Sequence, residues 1–322
     1  MDDVLVFACL LDGKGGATAL TAADLGRPLA DEGVLWLHVD YKNEAAAKWI
    51  RASSGIDTLV IAALLDEDSR PRMVQFNSGL LLILRGVNFN EGAQAEDMVS
   101  VRIWAEAKRI VTTRRRNVRA PRELYEQLLQ GRGPTGPGDF VLSLAARLDA
   151  NIEPVIDSID DELEIAETKY TGGNYSDYRG EFGQLRRKTA RLRRYLAPQR
   201  DTLERLSRQP DDIISEAQRN GLREEADAIT RHLEDLDLAR ERAMVAQEEL
   251  LNKMAQEQNS RMYVLSLVAA IFLPLSFLTG LMGMNVAGLP GTEHPAAFAV
   301  VVVVMLVSAV VIGVFFRWKK WL

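Results

Sequence analysis

Residues 278–291 read LTGLMGMNVAGLPG and lie between two apolar runs. The first run, 262–282, has no charged residue over 21 positions, enough to cross a hydrocarbon core of roughly 30 Å. The second, 296–316, is as long and includes five consecutive valines, Val300 to Val304. The 13 residues between them are too few for a domain, so the two runs form a transmembrane hairpin. Everything upstream reads as soluble protein feeding into this hairpin.

Charge is segregated to match. Residues 262–322 carry one acid, Glu293, against Arg317, Lys319 and Lys320, a net of +2. The whole chain carries −6, so the preceding 261 residues hold −8. An acidic soluble part argues against nucleic acid as a partner and suits a surface that gathers cations. Cys9 is the single cysteine, which excludes an internal disulfide and fits a reducing compartment. The start, MDDVLVFACLLDGKGG, is acidic and lacks a basic n-region, so no signal peptide is expected. The second run is followed directly by Arg317, Lys319 and Lys320, whereas the loop at 283–295 has no Lys or Arg. The positive-inside rule then places both termini in the cytoplasm, with Trp318 and Trp321 at the headgroups.

Residues 1–120 alternate between strand and helix patterns. Segments 4–11 and 34–39 are short β-rich runs, and 44–53 and 56–65 read as helices. Segments 73–76 and 80–89 form a hairpin around Asn77-Ser78-Gly79, and 99–104 pairs with 109–113 around Glu106-Ala107-Lys108. A mixed sheet with helices on it follows. The glycine clusters DGKGG (12–16) and GRGPTGPG (131–138) lack the spacing of a phosphate loop and read as turns.

From Asp139 the pattern is helical. Residues 140–169 read as one helix, acidic in its second half, and 178–209 as a basic helix containing RRKTARLRR. Such a pair is expected to lie antiparallel with its charges matched. Leu222, Ala226, Ile229, Leu233 and Leu236, continued by Ala243, Leu250 and Met254, then make a heptad-like seam typical of helices packed around an axis. No proline interrupts 211–273, so one stalk helix is expected to run into the first span, with Gly221 a kink or its true start.

Projected into the membrane, the seam becomes Asn259, Met262, Ser266, Ala269, Leu273, Ser276, Gly280 and Gly283, smaller and more polar than its surroundings. A helix-packing face and a plain anchor are the bland readings. A pore is favoured because the seam continues the stalk repeat and ends in a Gly-rich loop. Two helices per chain cannot enclose a channel, so a pore requires a cyclic oligomer. The spans contain no Asp, Glu, Lys, Arg, His or Cys, so a transition metal finds no imidazole or thiolate there. The ion is expected to pass with its inner water shell, steered by Asn259, Ser266, Ser276, Asn285 and backbone carbonyls. A ring of Asn285 amides would filter at the outer mouth, and Met262, Leu265 and Leu273 would form apolar gating rings. Pro274 frees a carbonyl that a neighbour or a wet lumen must satisfy. Glu293 and His294 are the titratable groups outside, and a ring of Glu293 would concentrate cations.

Gly283-Met284-Asn285, following Pro274-Leu275-Ser276, resembles the signature of the CorA superfamily of divalent-cation transporters. LWLHVDY (35–41), LLDEDSRPR (64–72), GLLLILRGVNFN (79–90), EDMVSVRIW (96–104) and GMNVAGLPG (283–291) resemble its zinc-transporter branch, ZntB. The resemblance spans nearly the whole chain. It implies a funnel-shaped homopentamer in a bacterial inner membrane, with the first span lining the pore and the second outside it. It also implies Zn²⁺ as transported ion, coupling to protons, and no prosthetic group. The family's pore positions fall on Asn259, Met262, Leu265, Leu273, Ser276 and Asn285. Magnesium channels of the superfamily carry an acidic, Pro-containing segment after the tripeptide, whereas VAGLPGTEHP has its one acid late.

The expected order is therefore a cytoplasmic α/β domain (1–138), a cytoplasmic helical pair (139–210), and a stalk helix (211–282) continuing into the first span (262–282). A periplasmic loop with Gly-Met-Asn (283–295), the second span (296–316) and a basic cytoplasmic tail (317–322) complete it. Zn²⁺ transport is the favoured function. A Mg²⁺ or general divalent-cation channel and a non-conducting membrane-tethered sensor or scaffold are the alternatives. With three His, one Cys and no nucleophile cluster, an enzyme is not expected.

Overall fold

A computed structural model describes residues 5–21, 24, 33–67, 70–76, 78–170, 175–209, 212–284, 289, 291 and 294–319. By contact density the chain divides into two units, Met1–Gln247 and Glu248–Leu322.

In the first unit the described strands form one seven-stranded sheet. They are β1 (Leu5–Leu11), β2 (Ala17–Leu20), β3 (Val34–Asp40), β4 (Arg72–Phe76), β5 (Gly79–Gly86), β6 (Val99–Ala105) and β7 (Arg109–Arg114), in the order β2-β1-β3-β7-β6-β5-β4. The β3–β7 pair is parallel and the others are antiparallel, the mixed sheet expected from the two hairpins. Asn77, placed in the first hairpin turn, lies outside the described residues. Every residue of β5 is buried, which explains its unbroken Leu80–Leu84 run: both faces are covered, so alternation is not required.

One sheet face packs Leu37, Val39, Leu81, Trp104 and Val111 against α1 (Glu44–Ser53) and α2 (Thr58–Leu64). Asn43 and Asp57 cap these helices, accepting from the Ala45 and Leu59 amides. On the other face, Trp36 meets Phe140 edge-on at 4.7 Å, bringing in α4 (Pro137–Ala150). Before α4 comes α3 (Arg119–Leu129), which the sequence pattern did not indicate. Its N-cap is Val118, without a side-chain cap, and Pro121 resembles a break. Proline is tolerated here because first-turn amides have no intrahelical partner. The two glycine clusters behave as turns and pack together, Gly133 donating to the Gly15 carbonyl at 2.7 Å.

The segment read as a single helix over 140–169 is two, α4 and α5 (Glu153–Tyr170), divided at Asn151 and Ile152. Pro154 is the cause: it has no amide to give Ala150, and its ring clashes with that carbonyl. The basic helix is α6 (Tyr175–Arg208). Its basic run pairs only in part with α5. Lys188 reaches Glu162 at 2.6 Å, while Arg191 pairs with Asp97, at 3.0 Å, and Arg193 with Asp237.

Asp237 belongs to α7, which runs unbroken from Glu216 to Met282 over 67 residues. Gly221 does not start it, since the helix begins at Glu216. A Cβ there would stand 2.7 Å from the Leu142 side chain, so glycine permits close packing on α4. The heptad seam is spent inside the chain: Leu222, Ala226, Ile229, Leu233, Leu236 and Ala243 are all buried. The same stripe therefore does not supply an axis between subunits, and the seam that continues below it must be judged on its own geometry.

Candidate functional site

In the second unit, the lower part of α7 and helix α8 (Ala297–Trp318) are each long and apolar enough to cross a membrane. Polar side chains on such helices cost free energy unless they meet water, an ion or another helix. Their direction therefore decides what the segment can do.

Over 262–282 of α7 the half-buried positions are Leu267, Ala270, Ile271, Pro274, Leu275, Leu278 and Met282. Leu267 and Ala270 share a groove of about 420 Å³ with Tyr263, Ser266 and Phe316 of α8. At about 100° per residue, the expected pore stripe is centred opposite the half-buried positions, with Ser266 shared between the stripe and the groove. Its members Asn259, Met262, Ser266, Ala269, Leu273, Ser276 and Gly280 are all exposed, Met262 at 59% and Leu273 at 72%. Leu265, at 71%, lies at the margin of the same arc. No described residue engages the Asn259 amide or the Ser266 and Ser276 hydroxyls, whereas Thr279 turns its hydroxyl back to the Ser276 carbonyl at 3.0 Å.

Pro274 leaves the Ala270 carbonyl without its helical partner. Ala270 borders the α8 groove rather than the centre of the stripe. α7 ends at Met282, and Gly283 donates to the Thr279 carbonyl at 3.0 Å. A Cβ on Gly283 would stand 3.0 Å from that same oxygen. Gly283 is thus suited to a close approach, and its φ is not among the left-handed glycine values. Met284 is exposed. Asn285 and Glu293, expected at the outer mouth, lie outside the described residues. His294 accepts the Ala296 amide on Nδ1 at 3.2 Å, which puts its own proton on Nε2.

The remaining soft ligands are unsuited to an ion path. Burial pushes the Cys9 thiol up to about 12. His38 is buried against Phe7, its Nδ1 2.7 Å from the Thr112 hydroxyl, and burial holds its pKa down to about 3. Among the described residues, no three His, Cys, Asp or Glu are grouped to hold a metal.

Residues 31–320 match the family described as CorA-like Mg²⁺ transporter protein. The chain is 37% identical over 297 residues to the divalent cation transporter CmaX of Pseudomonas aeruginosa, covering 91% of this chain and 90% of that protein. It is 35% identical over 322 residues to the zinc transport protein ZntB of Pectobacterium carotovorum, covering 98% and 96%. The structure of full-length CmaX superposes with a TM-score of 0.88 at 35% identity, covering 100% of this chain and 99% of that one. The CorA magnesium transporter of Methanocaldococcus jannaschii shares the fold, with a TM-score of 0.85 at 20% identity and coverage of 99% and 100%.

Proposed function

Because the chain belongs to the CorA-like Mg²⁺ transporter family, and is therefore a membrane transporter of divalent cations rather than an enzyme, we propose that it moves Zn²⁺ through a central pore. The working unit is a homopentamer in a bacterial inner membrane, with α7 lining the pore, α8 outside it and both termini cytoplasmic. Residues 1–138 and 139–210 form its cytoplasmic domain and helices.

The observation that supports this reading most is the direction of the stripe. Asn259, Ser266 and Ser276 are unengaged, exposed polar groups on α7; Ser276 lies away from the half-buried positions, and Ser266 also borders the α8 groove. An isolated hairpin has no use for them, whereas copies around an axis turn them toward water and ion. Gly283, Met284 and a ring of Asn285 amides form the outer filter, where Glu293 gathers cations. These are oxygen donors suited to hydrogen-bonding a hydrated divalent cation through its inner waters. Met262, Leu265 and Leu273 close the pore by excluding water. With no Asp, Glu, Lys, Arg, His or Cys in the spans, proton coupling runs through Glu293, His294, the cytoplasmic domain or a co-moving hydronium.

Zinc flux into proteoliposomes, with Mg²⁺ competition and an imposed pH gradient, tests this reading. Zinc entry that resists Mg²⁺ and follows the gradient is expected; absence of flux overturns it. A second reading, a general divalent-cation channel, is favoured by the 37% identity to CmaX, a relative named for divalent cations without specifying zinc. Equal Mg²⁺ entry, indifferent to pH, would decide for it.

A further inference from the structure

The groove between the two membrane helices takes no part in the ion path beyond its lip at Ser266. Tyr263, Leu267 and Ala270 wall it on α7, and Phe316 walls it on α8. The half-buried positions of α8, among them Val301, Met305, Ala309, Ile312 and Phe316, recur every three or four residues as one helical face. Gly313 stands at the edge of that face one turn before Phe316, and a Cβ added there would meet no atom within 4 Å. The helices are therefore not closely packed at this level, and a slot of about 420 Å³ separates them. In hydrocarbon such a slot does not stay empty, because any chain that enters regains the dispersion contacts its walls forfeit.

The mouth of the slot is cationic. Three residues after Phe316, the next position in the α8 spacing is Lys319, with Arg317 beside it, and both are exposed. Lys319 Nζ lies 5.3 Å from the centre of the exposed Trp318 ring, an arrangement that belongs at headgroup depth. On α7 the residues leading into Tyr263 on the groove side, Gln256, Asn259 and Ser260, are neutral. The nearby acid, Glu257, pairs with Arg261 at 3.6 Å. Residues 294–322 contain no acid. Apolar walls thus end in two cations where the bilayer meets water, which is the complement of an anionic lipid. A neighbouring helix is too thick to enter. At about 10 Å across, over the roughly 10 Å from Tyr263 to Ala270, it needs about 800 Å³, well beyond the slot. An acyl chain is far slimmer.

We propose that this groove binds an anionic phospholipid of the cytoplasmic leaflet. One acyl chain lies along Leu267, Ala270, Gly313 and Phe316, and the phosphate is held by Arg317 and Lys319. Their N–H groups donate to the phosphate oxygens, and Tyr263 sits where chain and headgroup join. A lipid held this way touches α7 and α8 together and fixes their spacing. The proposal rests on the membrane placement of the two helices and not on which cation is moved.

The test is native mass spectrometry of the full-length protein in detergent, titrated with phosphatidylglycerol or with phosphatidylcholine of the same chains. Saturable phosphatidylglycerol binding is expected, tighter than that of phosphatidylcholine by about tenfold or more. Each basic residue near a headgroup is worth roughly fivefold in affinity, so Arg317→Gln/Lys319→Gln should erase that preference. Gly313→Leu should fill the slot and weaken binding of both lipids. Ala270→Leu, on the opposite wall, should do the same and replaces the first variant if size-exclusion chromatography shows that one to be misassembled. Arg261→Gln, on the far side of α7, should bind as the parent does. Equal binding of the two lipids, a preference that survives loss of both cations, or binding unchanged in the slot-filling variants overturns the proposal. Absence of binding overturns it as well and assigns the groove to a second copy of the chain. None of these readouts is an ion flux, so the proposal and the transport reading fail separately.

Discussion

The His232 imidazole on α7 stands 3.4 Å, Nε2 to Oδ1, from the Asp149 carboxylate at the end of α4. The contact is longer than a good hydrogen bond and acts as an ion pair when the ring is protonated. Asp149 raises the His232 pKa by that contact, against the opposing effect of burial. Glu225, one heptad earlier on α7, is pushed up to about 7 by burial, Asp149 and Glu224. Both groups hold protons more tightly folded than unfolded. Their contribution is present at low pH and is lost as pH rises through neutrality. Unfolding of the helical region should therefore become easier by about 1–2 kcal/mol from pH 6 to pH 8, after discounting for partial exposure. Glu225→Gln should flatten that trend; an unchanged urea midpoint between the two pH values would contradict it.

His38 works in the opposite direction. Its folded pKa of about 3 lies below the unfolded value of 6.5, so its share of stability is present above 6.5 and is lost as pH falls. About 2–3 kcal/mol should disappear between pH 7 and pH 4.5. His38→Leu should remove most of this acid sensitivity, read from Trp36 fluorescence during urea unfolding. Trp36 reports locally, because its Nε1 shares the Thr112 hydroxyl with His38.

Gly79 opens β5, where a Cβ would stand 2.5 Å from the Ala105 carbonyl and 2.9 Å from the Trp104 ring. Neither a strand carbonyl nor a fully buried indole can yield cheaply. Gly79→Ala should cost about 1–3 kcal/mol of stability, the range for overpacking a dense interior. A thermal midpoint equal to the parent's would show that the hairpin shifts freely.

On the membrane side, Leu273→Asn should raise resting ion leak, since a polar ring wets a constriction that leucine keeps dry. Unchanged resting conductance would count against an apolar gate at that level. Asn285→Ala should abolish selective transport while leaving the oligomer intact by size-exclusion chromatography. Selective zinc flux through that variant would remove Asn285 from the filter.

Much of the fold was legible because its signals are local. Apolar runs of 21 residues mark spans, and short alternating or apolar segments with turn residues marked the hairpins β4–β5 and β6–β7. The break at Asn151 was also written in the chain, in Pro154, but helical periodicity on both sides concealed it. α3 was hidden by the lack of a cap and by Pro121. For the pore stripe, 3/4 spacing identified a face of α7 but not whether anything covers it. The heptad seam above has the same spacing and is buried within the chain, while the stripe from Asn259 to Gly280 is exposed.

Two buried arginines show the limit most directly. Arg85 and Arg102 lie 17 positions apart in the strands GLLLILRG and VSVRIWA, and nothing in their spacing pairs them. Strand register sets both on the face of Leu81 and Trp104. By itself the sequence determined the membrane hairpin, the strand and helix pattern, the family, and the chemistry denied to the ion path. These follow from composition and short-range periodicity. Only the tertiary structure decided which equivalent helical faces are buried, which arginines share one side of a sheet, and which histidine meets an acid. Those depend on strand register and helix packing, where a one-residue shift sends a side chain to the opposite face.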